Sequence, residues 1–180
     1  KFRLQYVDID TKAIVVADQS DAGEITDFNW SPDSKWIVYA RPSIDHFGKI
    51  VLYNTVTKIK TEVTDEWYES SAPVFSKDGK YLLFTSARTF NPIYSDTEWN
   101  HAYKNMNKIY MVILSNSVKS PFAPKVSEVK GTEAEEKPAE SQKTDKTAVK
   151  SETPKTTDIV VDLDGIRNRI VEIPVKPSNY

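Results

Sequence analysis

Chemistry at a protein site needs a nucleophile beside its base, a glycine-rich phosphate cradle or a cluster of metal ligands, and this sequence offers little of any. A nucleophile elbow, a phosphate-cradling glycine loop and a His-Glu-x-x-His motif are all absent, and the five glycines stand alone at positions 23, 48, 79, 131 and 165. The two histidines, His46 and His101, each fall in a loop between the second and third strands of a repeated unit and could line one face. Without a nucleophile in recognisable context, the structural or solvated reading of both is favoured. Asp162-x-Asp164-Gly165 starts like a calcium loop but lacks its later ligands, so it reads as a strand-ending turn. No cysteine is present, which removes disulfide and thiolate chemistry. The sequence therefore leads us to expect no catalytic, metal-binding or cofactor-binding residue in this stretch, and no cofactor.

One loop stands apart. Between Arg88 and Asn107 lies RTFNPIYSDTEWNHAYKNMN, far longer than a hairpin connection and loaded with Phe90, Tyr94, Trp99, His101 and Tyr103. Long loops with this much aromatic surface are usually functional or packed against something. Two readings stand side by side: a cap on its own sheet, or a docking surface or channel wall. On the second reading Phe90 and Pro92 pack locally, while Trp99 and its neighbours face a partner.

The elements that must carry this loop repeat. FNWSPDSKWIVYARP, residues 28–42, and APVFSKDGKYLLFTS, residues 72–86, align with Ser31 on Ser76, 45 residues apart. On that offset Asp33 meets Asp78, Lys35 meets Lys80 and Trp36 meets Tyr81. In each turn the serine can bond back onto the backbone, the aspartate suits the second corner, and Gly79 can take the positive φ that leads into the next strand. Ser34 holds the position of Gly79 and is expected at positive φ as well. The apolar runs Trp36–Ala40 and Tyr81–Phe84 do not alternate with polar residues, as strands covered on both faces should not. A period of this size, built of short strands, predicts an all-β fold, an incomplete β-propeller of about three blades of four-stranded antiparallel sheet. The alternative for the same residues is two unrelated hairpins of a sandwich.

Taken in order, residues 1–124 form the partial propeller: an outer half-blade over 1–20, a full blade over 25–65 and the start of the next over 71–124. The alternating, charged stretch Lys58–Thr64 suits an outer edge strand. Residues 125–156 hold seven lysines, seven acids, three valines and no aromatic residue, and read as a disordered insert. Residues 157–180 then supply the last strand of that blade, Asp158–Leu163, a turn at Asp164-Gly165, and the first strand of the next, Arg169–Val175. A ring needs at least four blades, so this segment is expected to be completed by the rest of a longer chain.

Bulk composition excludes further classes. A net charge of −2 over 180 residues favours neither nucleic acid nor an anionic membrane as partner. The start at Lys1-Phe2-Arg3, with no signal-type apolar run, reads as an excerpt.

A resemblance joins these residues. Ser76-Lys77-Asp78-Gly79-Lys80-Tyr81-Leu82, Phe90-Asn91-Pro92-Ile93-Tyr94-Ser95-Asp96, Glu98-Trp99-Asn100, Ile109-Tyr110, Ser120-Pro121-Phe122, Val161-Asp162-Leu163-Asp164-Gly165-Ile166, Arg169-Ile170-Val171 and Pro174 together resemble tricorn-type serine peptidases near the end of their second propeller. The Ser-Pro-Asp turn alone is shared with TolB-like and prolyl-oligopeptidase-type propellers, whereas the Phe-Asn-Pro to Glu-Trp-Asn stretch is far more specific. Ser34 and Lys77 depart from the glycine and proline usual in the turn, and the 125–156 segment has no counterpart. The resemblance implies a scaffold and substrate-access propeller, with a PDZ-like domain and catalytic core elsewhere in an oligomeric parent that degrades short peptides. It also implies a cytoplasmic compartment, a periplasmic one being compatible. The alternative function is a non-catalytic TolB-like binding propeller.

Overall fold

The computed structural model describes residues 1–44, 47–90, 92–94, 101–123 and 158–180. The expected insert, Trp99 and His46 lie outside the described residues. Strands β1 (Phe2–Val7) and β2 (Ile14–Ser20) form an antiparallel pair. The first complete blade is β3 (Thr26–Trp30), β4 (Trp36–Pro42), β5 (Gly48–Asn54) and β6 (Lys60–Glu62), paired in that order. The second uses β7 (Ser70–Phe75), β8 (Tyr81–Ala87), β11 (Asn107–Ile113) and β12 (Ile170–Glu172). Between β8 and β11 the chain adds a small hairpin, β9 (Pro92–Tyr94) and β10 (His101–Tyr103).

The uninterrupted apolar run is explained by burial on both faces. Ile37, Tyr39, Val51 and Tyr53 point towards the half-blade and join Leu4, Ala17 and Ile25. Trp36, Val38, Ala40, Ile50 and Leu52 point the other way and meet Phe75, Leu82, Phe84, Tyr110, Val112 and Leu114 of the second blade. Each large apolar side chain removed from water contributes about 1.5–3 kcal/mol, so these two seams hold the blades together.

The turns repeat bond for bond. Ser31 Oγ donates to Asp33 Oδ1 at 2.6 Å and accepts from Trp36 N at 2.9 Å; Ser76 Oγ donates to Asp78 Oδ1 at 2.6 Å and accepts from Tyr81 N at 3.0 Å. Ser34 has φ 59° and Gly79 has φ 67°, as the alignment requires.

The end of the chain departs from expectation. Asp158–Leu163 is irregular and is not the fourth strand of the second blade; that place is taken by Ile170–Glu172, which pairs with β11 and does not begin another blade. Ile159, Val161 and Leu163 alternate because one side of the segment packs on the seam between the blades. A 3₁₀ turn, Ile166–Arg169, then brings the chain to the rim, entered through Gly165 at φ 63°.

Candidate functional site

Strand direction alternates, so the β4–β5 and β8–β11 connections leave the sheets at the same end as the β6–β7 crossover. Hydrogen bonds tie these loops together: Gly48 N donates to Glu69 Oε2 at 2.7 Å, Ala87 N to Glu69 O at 2.9 Å, and Thr89 N to Met106 O at 3.1 Å. A Cβ at position 48 would lie 2.7 Å from Ser70 O, so only glycine lets β5 start under the crossover.

On this face the described rings of the aromatic loop form a small cluster. Phe90 is 59% exposed and lies between Tyr68, at 6.1 Å between ring centroids, and Tyr103, met edge-on at 6.3 Å. Phe90 is therefore not packed down onto its own sheet. Tyr94 and His101 are backbone partners in the β9–β10 hairpin, and Tyr103 pairs with Pro92. Of the five loop residues singled out by sequence, the structure brings Phe90 and Tyr103 into contact and puts Tyr94 and His101 in register. Trp67 and Phe47, on the neighbouring loops, add exposed rings to the same end.

The sequence reading missed Arg88 and Tyr68. The Arg88 guanidinium sits 4.8 Å from the Tyr110 ring, 5.4 Å from Tyr68 and 5.9 Å from Phe84, and its Nε donates to Ser86 Oγ at 3.0 Å. A cation resting on aromatic faces is attracted by their quadrupoles, so Arg88 anchors the base of the loop to β11. The sequence signal was faint: a lone arginine ending an apolar strand.

Two buried charge clusters support the blades. Asp18 is 3% exposed; it accepts from Tyr39 Oη at 2.9 Å and Lys60 Nζ at 2.7 Å, while Arg41 Nε lies at an ion-pair distance of 3.0 Å without hydrogen-bond alignment. Burial pushes the Asp18 carboxyl up, but the Lys60 ammonium, the Tyr39 hydroxyl and the Gln19 N–H outweigh it and hold it below the usual range. Burial and the Asp18 charge push the Tyr39 phenol up. Lys49, 6% exposed, bridges Glu62 at 2.7 Å and Glu66 at 2.6 Å; burial alone would lower its pKa, and the two carboxylates raise it instead. Asp162, the first acid of the Asp-x-Asp-Gly stretch, accepts from Asn116 N at 2.7 Å and Ser115 Oγ at 3.0 Å, long-range bonds that join it to the turn after β11. Among the described residues no group of three or more His, Asp or Glu could hold a metal ion, and no helix is long and apolar enough to cross a membrane.

The family model described as the tricorn protease second beta propeller domain matches residues 1–180. The chain belongs to this family. Relatives include the tricorn protease homolog 1 of Streptomyces coelicolor, 28% identical over 99% of this chain and 16% of its own length. The tricorn protease homolog of Saccharolobus solfataricus is 27% identical over 100% of this chain and 14% of its own length. A crystal structure of the tricorn protease superposes with a TM-score of 0.73 at 22% identity, covering 99% of this chain and 16% of that one. The two four-stranded blades and the half-blade are thus part of a tricorn-type β-propeller, and the chain spans about a sixth of the length of these proteins.

Proposed function

We propose that this tricorn propeller segment is the scaffold and substrate-access part of a serine peptidase that degrades short peptides, with the catalytic groups in other domains of its parent. The observation that carries this reading is the match of the whole chain to the second propeller domain of a family whose relatives bear the name tricorn protease. The geometry is in keeping with it: the polar networks are spent on holding blades together, while the exposed rings Phe47, Trp67, Phe90 and Tyr103 gather at one end of them. That end is the docking surface or channel wall of the proposal, facing other domains of the parent or its peptide substrates. The PDZ-like domain, the catalytic core and the oligomer belong to the same reading.

The test has two arms. Purified residues 1–180 should hydrolyse no fluorogenic peptide, whereas the full-length parent should do so and lose the activity to a serine-directed inhibitor. In the parent, Phe90→Ala combined with Tyr103→Ala should lower kcat/KM or weaken assembly while the melting temperature of the propeller stays within about 2 °C, since both rings are largely exposed. Unchanged activity and assembly would remove the docking role. A parent inactive on every peptide would remove the peptidase reading and favour a binding propeller.

A further inference from the structure

Residues 158–172 hold on to both blades at once. At their start, Asp158 pairs with Lys35 at 2.8 Å and Ile159 N donates to Asp33 Oδ2 at 3.0 Å, both on the first blade's turn. The Ile159 side chain lies over the second blade's turn, where a Cβ on Gly79 would come within 2.1 Å of its Cγ2. Val161, Leu163 and the buried Ile166 continue along the seam. Arg167 then returns to the first blade, donating to Glu62 O at 3.3 Å and Glu62 Oε2 at 3.2 Å, before Ile170–Glu172 pair with β11 of the second.

The hold is uneven. Sheet pairing is limited to three residues, and residues 158–165 form no ladder of their own. The outer ion pairs with Lys35 and Glu62 join partly exposed side chains, which contribute little. Two residues fasten the segment to the end of β11: Asp162, whose N–H donates to Leu114 O at 2.9 Å and whose carboxylate accepts from Ser115 Oγ and Asn116 N, and Arg169. Arg169 donates to Ile113 O at 2.9 Å and Leu114 O at 3.4 Å at the end of β11, and to Asp164 O and Asp162 O on its own segment. One guanidinium thus ties the segment into a compact turn and fastens that turn to the blade.

We propose that residues 158–172 are a detachable strap, latched by Asp162 and Arg169, that leaves the seam as a unit while β3–β6 and the β7–β8–β11 sheet stay folded. Local openings follow regions with few ladder bonds and many exposed anchors, and this segment has both. Release opens the cleft of about 330 Å³ between the blades, because Arg167, Ile170 and Glu172 of its lining belong to the strap while Val63, Thr64, Asp65, Arg88 and Tyr110 remain. It also uncovers Val112 and Leu114, which are fully buried when the strap is in place.

Hydrogen exchange read by mass spectrometry on the full-length parent tests this. Peptides covering 159–172 should exchange together, at least tenfold faster than those covering Trp36–Asn54. Arg169→Met should speed the strap peptides a further tenfold and leave Trp36–Asn54 unchanged. Ile159→Ala is the milder second variant, with the same expected pattern if the first does not fold. Strap peptides that exchange at the rate of Trp36–Asn54, or variants that speed all peptides alike, would overturn the proposal, because the segment would then open only with the whole propeller.

Discussion

Asp27 and Ala72 occupy the same place in successive blades, and the carboxylate of the first accepts the backbone N–H of the second at 3.0 Å. Both residues have positive φ, 52° and 49°, at the irregular step of their inner strands. The distortion that leaves an N–H without a ladder partner in one blade recurs in its neighbour beside the acceptor that satisfies it. The repeat is bonded to itself.

Left-handed backbone costs a non-glycine residue about 1 kcal/mol, so Ala72→Gly should stabilise the propeller by up to that amount. Asp27→Leu should lower stability by about 1 kcal/mol through the lost hydrogen bond. Thermal melts of the parent or of any folded propeller fragment read both effects. A lower melting temperature for Ala72→Gly would show that the strand distortion is not strained.

The matched turns allow a paired experiment. Ser34→Gly should be neutral or stabilising by roughly 0.5–1 kcal/mol, because φ 59° suits glycine better than serine. Gly79→Val should destabilise by more than about 1 kcal/mol, from its backbone and from collision with Ile159. Combining Gly79→Val with Ile159→Ala should recover the part due to collision. Additive losses in chemical denaturation would place the whole cost in the backbone.

The turns and strand pairs were legible because Ser31 and Ser76, with their aspartates two residues on, fix the register of both hairpins. The last strand was not. Ile159, Val161 and Leu163 alternate as a strand would, but alternation reports only that one side is buried, and here the buried side lies on a seam without ladder bonds. The rim strand hid inside Arg169–Val175, whose apolar character suited an inner strand equally well. Aromatic composition marked Phe90 and Tyr103, whereas Tyr68 and Arg88 meet them from separate loops, a proximity that no local pattern records. Lys49, in the otherwise apolar stretch GKIVLYN, was the one visible sign of the ionic cluster with Glu62 and Glu66.

Acid should weaken the Asp18 contact between the half-blade and the first blade. Its folded pKa lies below the unfolded value near 3.8, so its contribution to stability is complete well above pH 3.8 and is lost as pH falls through the lowered folded value. Asp18→Ala, which removes the acceptor from the Tyr39 hydroxyl and from two partly exposed cations, should cost about 1.5–3 kcal/mol at pH 7. The difference from the wild type should narrow below pH 3.8, as urea denaturation at pH 7 and pH 3 would reveal. A gap that stays constant would mean the carboxylate is not the pH-sensitive contact.

The rim of the two blades has a consequence for how the protein behaves in concentrated solution. Open sheet edges template the addition of strands from other molecules, which leads to domain exchange and fibrils. Here each outer strand is only three residues long, β6 begins with a lysine, and β12 gives way to Pro174 and Pro177, residues with no N–H to donate. Arg169 has already taken the carbonyls where β11 ends. An incoming strand finds almost no ladder to extend, so self-association through the rim is discouraged and partners are left to engage side chains on the loop end.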